Sequence, residues 1–98
     1  MPRPPKLPKN LIGPAIQRRR TELGWSQSKL AAECQMIGWD ISRGIVAALE
    51  GRVRWAGDYE VALLARVLDV PLESLFPATP AWHELGLKDL QLRTGRKK

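Results

Sequence analysis

The chain has 98 residues, with 16 Lys and Arg against 10 Asp and Glu, for a formal net charge of +6. That length makes one small domain with a modest core, which excludes a pair of packed catalytic domains. No uncharged run approaches the roughly 20 apolar residues a membrane span needs, no secretory signal follows the basic start, and a lone cysteine, Cys34, builds no disulfide framework, so a reducing cytoplasm is the compartment expected.

Residues 1–10 contain four prolines, with Arg3, Lys6 and Lys9 and no acid. Proline lacks an amide donor and fixes φ, so this segment is expected to be a flexible, extended basic arm. Residues 11–76 balance eight bases against eight acids and form the expected domain. The first helix is expected over 12–23, with Ile12, Ala15, Ile16 and Leu23 on one face and Gly24 as a left-handed stop. Ser26 is the expected cap of the second helix. Trp25 and Leu30 are spaced for a hydrophobic staple, and Ala31 and Cys34 continue the buried face. A turn follows over 35–40.

The third helix is expected over 42–50, capped by Ser42, with Ile45, Val46 and Leu49 inward and Gly51 as its stop. Asp58 should cap the fourth, whose inner side would carry Tyr59, Leu63, Leu64, Val67 and Leu68. The fifth opens on Pro71 and should bury Leu72, Leu75 and Phe76. Residues 77–98 form a C-terminal extension with a weak helix over 82–92 and a basic end. Together these elements imply an all-α, compact five-helix bundle flanked by flexible basic tails. Basic flanks suit a polyanion, since each neutralised phosphate releases counterions; the same charge also serves plain solubility.

Three segments in order carry a family likeness. Ser26-Gln27-Ser28-Lys29-Leu30-Ala31 resembles the opening of the second helix in the Cro/repressor-type helix-turn-helix family. Residues 41–51, Ile-Ser-Arg-Gly-Ile-Val-Ala-Ala-Leu-Glu-Gly, resemble its recognition helix, and residues 63–76 resemble its last two helices. The likeness covers about 12–76. One departure stands out: the turn between the second and third helices, over 35–41, is longer than the family's by about five residues, and Gly38-Trp39-Asp40 should bulge there. A longer loop costs little closure entropy, so the fold survives it.

The resemblance implies a phage-repressor-like bundle that binds double-stranded DNA as a homodimer. Its third helix would enter the major groove while the second lies across the backbone. Gln27 and Ser28 would then meet a phosphate or a base. Ser42, Arg43, Gly44, Ile45 and Ala47 would face the groove. An Arg in the position of Arg43 can bridge guanine O6 and N7; a phosphate contact is its alternative. Arg52 and Arg54 would clamp phosphates. Arg20 would pair with Glu50 and fix the first helix against the third.

No catalytic, cofactor or metal role is expected. The sequence holds no Gly-rich phosphate loop and no Cys/His set with metal spacing. His83 is its one histidine, and Cys34 has no evident base partner. Trp25, Trp39 and Trp55 are expected to help the core, and Trp82 to anchor a partner or fold back. The function expected is transcriptional regulation, most simply repression, in the cytoplasm and on the nucleoid when bound. Two rivals keep the scaffold: an antitoxin that uses residues 77–98 to hold a protein partner, and a protein-interaction module without DNA.

Overall fold

Four helix ends are closed in the same way. At each, one residue turns left-handed: Gly24 (φ 75°), Gly38 (φ 95°), Arg52 (φ 63°) and Asp69 (φ 57°). Its N–H returns to the carbonyl three residues back, and the next N–H to the carbonyl five back, as in Gly38 to Gln35 and Trp39 to Cys34 (both 3.0 Å). This 6→1, 5→2 closure satisfies carbonyls the helix leaves orphaned. The residue after the left-handed one is apolar in all four cases, and Trp25, Trp39 and Val70 pack back on the core.

These closures delimit α1 (Gly13–Glu22), α2 (Gln27–Met36), α3 (Arg43–Glu50) and α4 (Asp58–Leu68). The computed structural model describes residues 8–77, all-helical and without strands among them. Residues 1–7 of the expected 1–10 arm, the weak helix over 82–92, Trp82, His83 and the partner segment beyond Pro77 lie outside the described residues.

The starts follow side-chain chemistry. Ser26 Oγ accepts from the Lys29 N–H at 3.0 Å, and Ser42 Oγ from the Ile45 N–H at 3.2 Å. Ahead of α1, Asn10 Oδ1 accepts from the N–H groups of Ile12 (3.1 Å) and Gly13 (2.9 Å). Its amide donates to the carbonyls of Leu49 (3.1 Å) and Arg54 (2.9 Å). The last residue assigned to the arm is thus a fastening of the fold.

The core gathers residues from every helix: Ile12 and Ile16, Leu30 and Cys34, Val46 and Leu49, Leu64 and Leu68. α3 packs on α1 and α2, and α4 packs on the same pair. Ile41, in the turn between α2 and α3, is 1% exposed and pins that turn to the core. Its carbonyl accepts from Gln35 Nε2 at 2.7 Å. The lengthened turn is therefore a packed element, sealed by Trp39 and Ile41.

Several expectations are corrected. The fifth helix is one 3-10 turn, Leu72–Leu75, in which Leu75 alone is buried; Leu72 and Phe76 are exposed. The cap of α4 is Gly57, with Asp58 as its first residue. Tyr59 points to solvent at 85% exposure, and Trp55 is exposed as well. α3 does end at Glu50 with Gly51 as its C-cap, as expected, and the left-handed residue of its closure is the next one, Arg52. Arg52 is drawn there by tertiary bonds: its carbonyl accepts from the Lys9 N–H and its Nε donates to the Asn10 carbonyl, both at 3.1 Å.

Cys34 is fully buried, and burial, with Glu33 adding to it, pushes its thiol from 9.0 up to about 11. Folding thus favours the neutral thiol. The stability this contributes is complete below the unfolded value of 9.0 and is lost as pH rises toward 11. Across that window the melting temperature should fall more steeply in the native protein than in Cys34→Ala. Equal slopes by thermal denaturation would contradict the burial argument.

Candidate nucleic-acid interface

The polar centre of the molecule is built around Glu50. As the last residue of α3 it places a carboxylate at the negative end of the helix dipole, an unfavourable position that requires a compensating cation. Arg20, from the last turn of α1, supplies it. Arg20 Nε donates to Glu50 Oε2 at 2.6 Å and its terminal nitrogen to Oε1 at 3.0 Å. The other terminal nitrogen donates to the Trp25 carbonyl at 2.7 Å. The side chains are only 13% and 5% exposed. The hydrogen bonds from Arg20 to Glu50 hold the guanidinium above its ordinary pKa, against the opposing effect of burial. The fork thus joins the end of α1, the α1–α2 link and the end of α3.

A third element joins at the same carboxylate. Gln27, the first residue of α2, donates from Nε2 to Glu50 Oε1 at 3.0 Å. Its Oε1 accepts from an Arg43 terminal nitrogen at 3.2 Å. Arg20, Glu50, Gln27 and Arg43 therefore form one chain of hydrogen bonds from the buried interior to the exposed start of α3. Of the expected site residues, Ser28, Ser42, Arg43 and Gly44 are exposed, and Gln27 and Ala47 are half-buried. Ile45 packs partly against the core.

Gly44 has no packing reason to be glycine. A Cβ there would meet nothing nearer than Ser42 Oγ at 3.7 Å, an ordinary contact. Alanine would also favour the helix by up to about 1 kcal/mol. The fold tolerates a larger residue at this exposed position, so the bare backbone leaves the face open for close approach.

Two expected phosphate clamps are engaged inside the chain. Arg54 grips Glu60 through two bonds, 3.0 and 3.2 Å, and also donates to the Trp55 carbonyl. That grip, aided by the Gly57 N–H, holds the Glu60 carboxyl below its usual range. Arg52 donates to the Asn10 carbonyl. Both arginines stabilise the loop after α3, and neither stands as a bare cation. On α1, Arg19 donates to the Leu68 carbonyl at 2.8 Å while Arg18 is exposed. Sequence reading missed Asn10 as a fastening and Gln27 as a bridge. An Asn just ahead of a helix start is a signal for the first; no local signal marks the second.

No family model matches this chain, and no curated protein is significantly similar to it in sequence.

Proposed function

We propose that this chain is a sequence-specific double-stranded-DNA-binding regulator of helix-turn-helix type, acting as a homodimeric repressor in the cytoplasm. α3 is the groove-entering helix and the first turn of α2 lies over the backbone. One observation carries the reading: α3 is anchored at its buried end by Glu50, while its opposite end presents Ser42, Arg43 and an unrequired Gly44 to solvent beside Ser28. An arginine at the tip of a rigidly held helix is suited to a bidentate grip on guanine. The small side chains behind it allow close approach and supply few hydrogen bonds. Base readout is therefore sparse, and the phosphates supply most of the affinity. The net charge of +6 and the family likeness support the same reading.

The test is a pair of titrations on duplex DNA. Log affinity of the native protein should fall linearly with log salt. Arg43→Ala should lose about 1–3 kcal/mol of discrimination between a preferred and a random duplex. A flat salt response would contradict DNA binding, and an equal loss on both duplexes would reassign Arg43 to a phosphate.

A second reading, the protein-interaction module, has one observation in its favour. Trp55 and Phe76, with Pro8, Leu11 and Val61, line an open groove of 380 Å³. Trp55 is 68% exposed and Phe76 43%, and exposed aromatics are favoured interface anchors.

A further inference from the structure

The lengthened turn ahead of α3 carries an acid that the fold does not use. Its residues alternate between the interior and solvent. Trp39 packs on the core, Asp40 is exposed, Ile41 is buried and Ser42 is exposed. That is the two-residue period of an extended segment, and Ser42 has extended backbone angles. Asp40 and Ser42 therefore leave the chain on the same outer side, with Cα atoms about 7 Å apart. The segment is fixed from within: the Trp39 N–H donates to the Cys34 carbonyl at 3.0 Å, and Gln35 Nε2 to the Ile41 carbonyl at 2.7 Å. Among the described residues, the Asp40 carboxylate makes no hydrogen bond and no ion pair. The cap of α3 is Ser42, so Asp40 has no capping duty either. Nearby Glu33 and Glu50, by contrast, are each tied to a cation, Lys29 and Arg20.

We propose that Asp40 is a specificity-determining residue that accepts a hydrogen bond from the N4 amine of a cytosine in the major groove, an inference that rests on the DNA-binding reading of α3. A bare carboxylate beside the groove-facing end of α3 is repelled by phosphates. It is favourable there only where the duplex offers it a donor. Cytosine does so, presenting N4–H₂ in the major groove, and an acidic side chain is the acceptor suited to it. Arg43 supplies donors and suits the acceptors of guanine; Asp40 supplies the acceptor that Gly44, Ala47 and Ala48 cannot. The lengthened turn thus adds a reader to a helix that holds few.

The test uses the full chain with Asp40→Asn and Asp40→Ala, whose melting curves should match the native one because the side chain is exposed and unbonded. In selection from random duplexes, the native motif should carry a cytosine that Asp40→Asn exchanges for adenine, since an amide meets N6 and N7 of adenine together. The guanine that depends on Arg43 should stay. In a selected duplex, that cytosine is then replaced by a pyrimidinone, which lacks the exocyclic amine. The loss of affinity should be about five- to tenfold greater for the native protein than for Asp40→Ala. On random duplexes Asp40→Ala should bind more tightly than the native protein, because a charge repelled by phosphates is gone. An unchanged motif with Asp40→Asn, or a gain of affinity with Asp40→Ala that is equal on selected and random duplexes, would overturn the proposal and leave Asp40 a solvated charge. Either result, with the guanine still dependent on Arg43, would leave the DNA-binding reading intact. A native protein that enriches no motif would overturn both.

Discussion

Replacing Glu50 with alanine is expected to destabilise the fold by about 3–5 kcal/mol, by stranding the charge of Arg20. The Arg20 side chain is 13% exposed and gives two hydrogen bonds to Glu50, so water cannot replace the lost carboxylate without opening the α1–α3 contact. A domain of this size holds only about 5–10 kcal/mol in total. The variant should therefore melt on the order of 15 °C or more below the native protein, or fail to fold at room temperature. The complementary experiment separates charge from packing. Arg20→Met combined with Glu50→Leu removes both partners and restores apolar bulk, and it should recover most of the loss. Circular dichroism melts of the single and double variants check this. A Glu50→Ala protein as stable as the native one would mean that the pair is not structural.

Gly13→Ala is the second large effect, and it separates two reasons for glycine. A Cβ at Gly13 would lie 2.6 Å from the carbonyl oxygens of both Leu49 and Glu50, and 2.9 Å from Arg52 Cγ. Two of those neighbours are backbone, fixed by the end of α3, so they cannot yield as a flexible side chain would. Alanine should favour helix by about 1 kcal/mol, but the overlap forces the start of α1 away from α3. A net loss of about 1–3 kcal/mol is expected. Gly24 is the contrast: nothing lies within 4 Å of its would-be Cβ, and only its φ of 75° resists substitution. Gly24→Ala should cost about 1 kcal/mol, the penalty of a left-handed alanine. Chemical denaturation of both variants measures the difference. A Gly13→Ala protein more stable than the native one would show that the close approach of α1 to α3 is absent in solution.

What the sequence reveals follows the range of the interaction. Ser26, Ser42 and Gly24 announce their helix boundaries because a cap or a left-handed glycine acts within three or four residues. The apolar spacing of Ile12, Ile16, Leu30, Leu64 and Leu68 likewise marks inward faces. The misreadings lie where distant residues decide. Gly51 caps α3 as its place announces, but the left-handed position falls on Arg52, where bonds to Lys9 and Asn10 hold it. Asn10 joins carbonyls 39 and 44 residues away, which no local pattern encodes. Trp55 and Tyr59 are large and apolar enough to be assigned inward, yet the short 3-10 turn and the loop before α4 provide no cover for them. At the candidate site the residue types were legible and their partners were not. Gln27 reads as a solvent-facing contact until Glu50 and Arg43 are seen on its two sides, and Arg54 reads as a free cation until Glu60 is seen beneath it.

Selection of bound fragments from random-sequence duplexes, with the native protein and Arg43→Ala in parallel, tests the central claim most directly. The account predicts that the native protein enriches a two-fold-related motif bearing a guanine in each half-site, with half-sites about one helical turn apart. The preference for that guanine should disappear with Arg43→Ala. Recovery of the same unenriched pool by both proteins would contradict it.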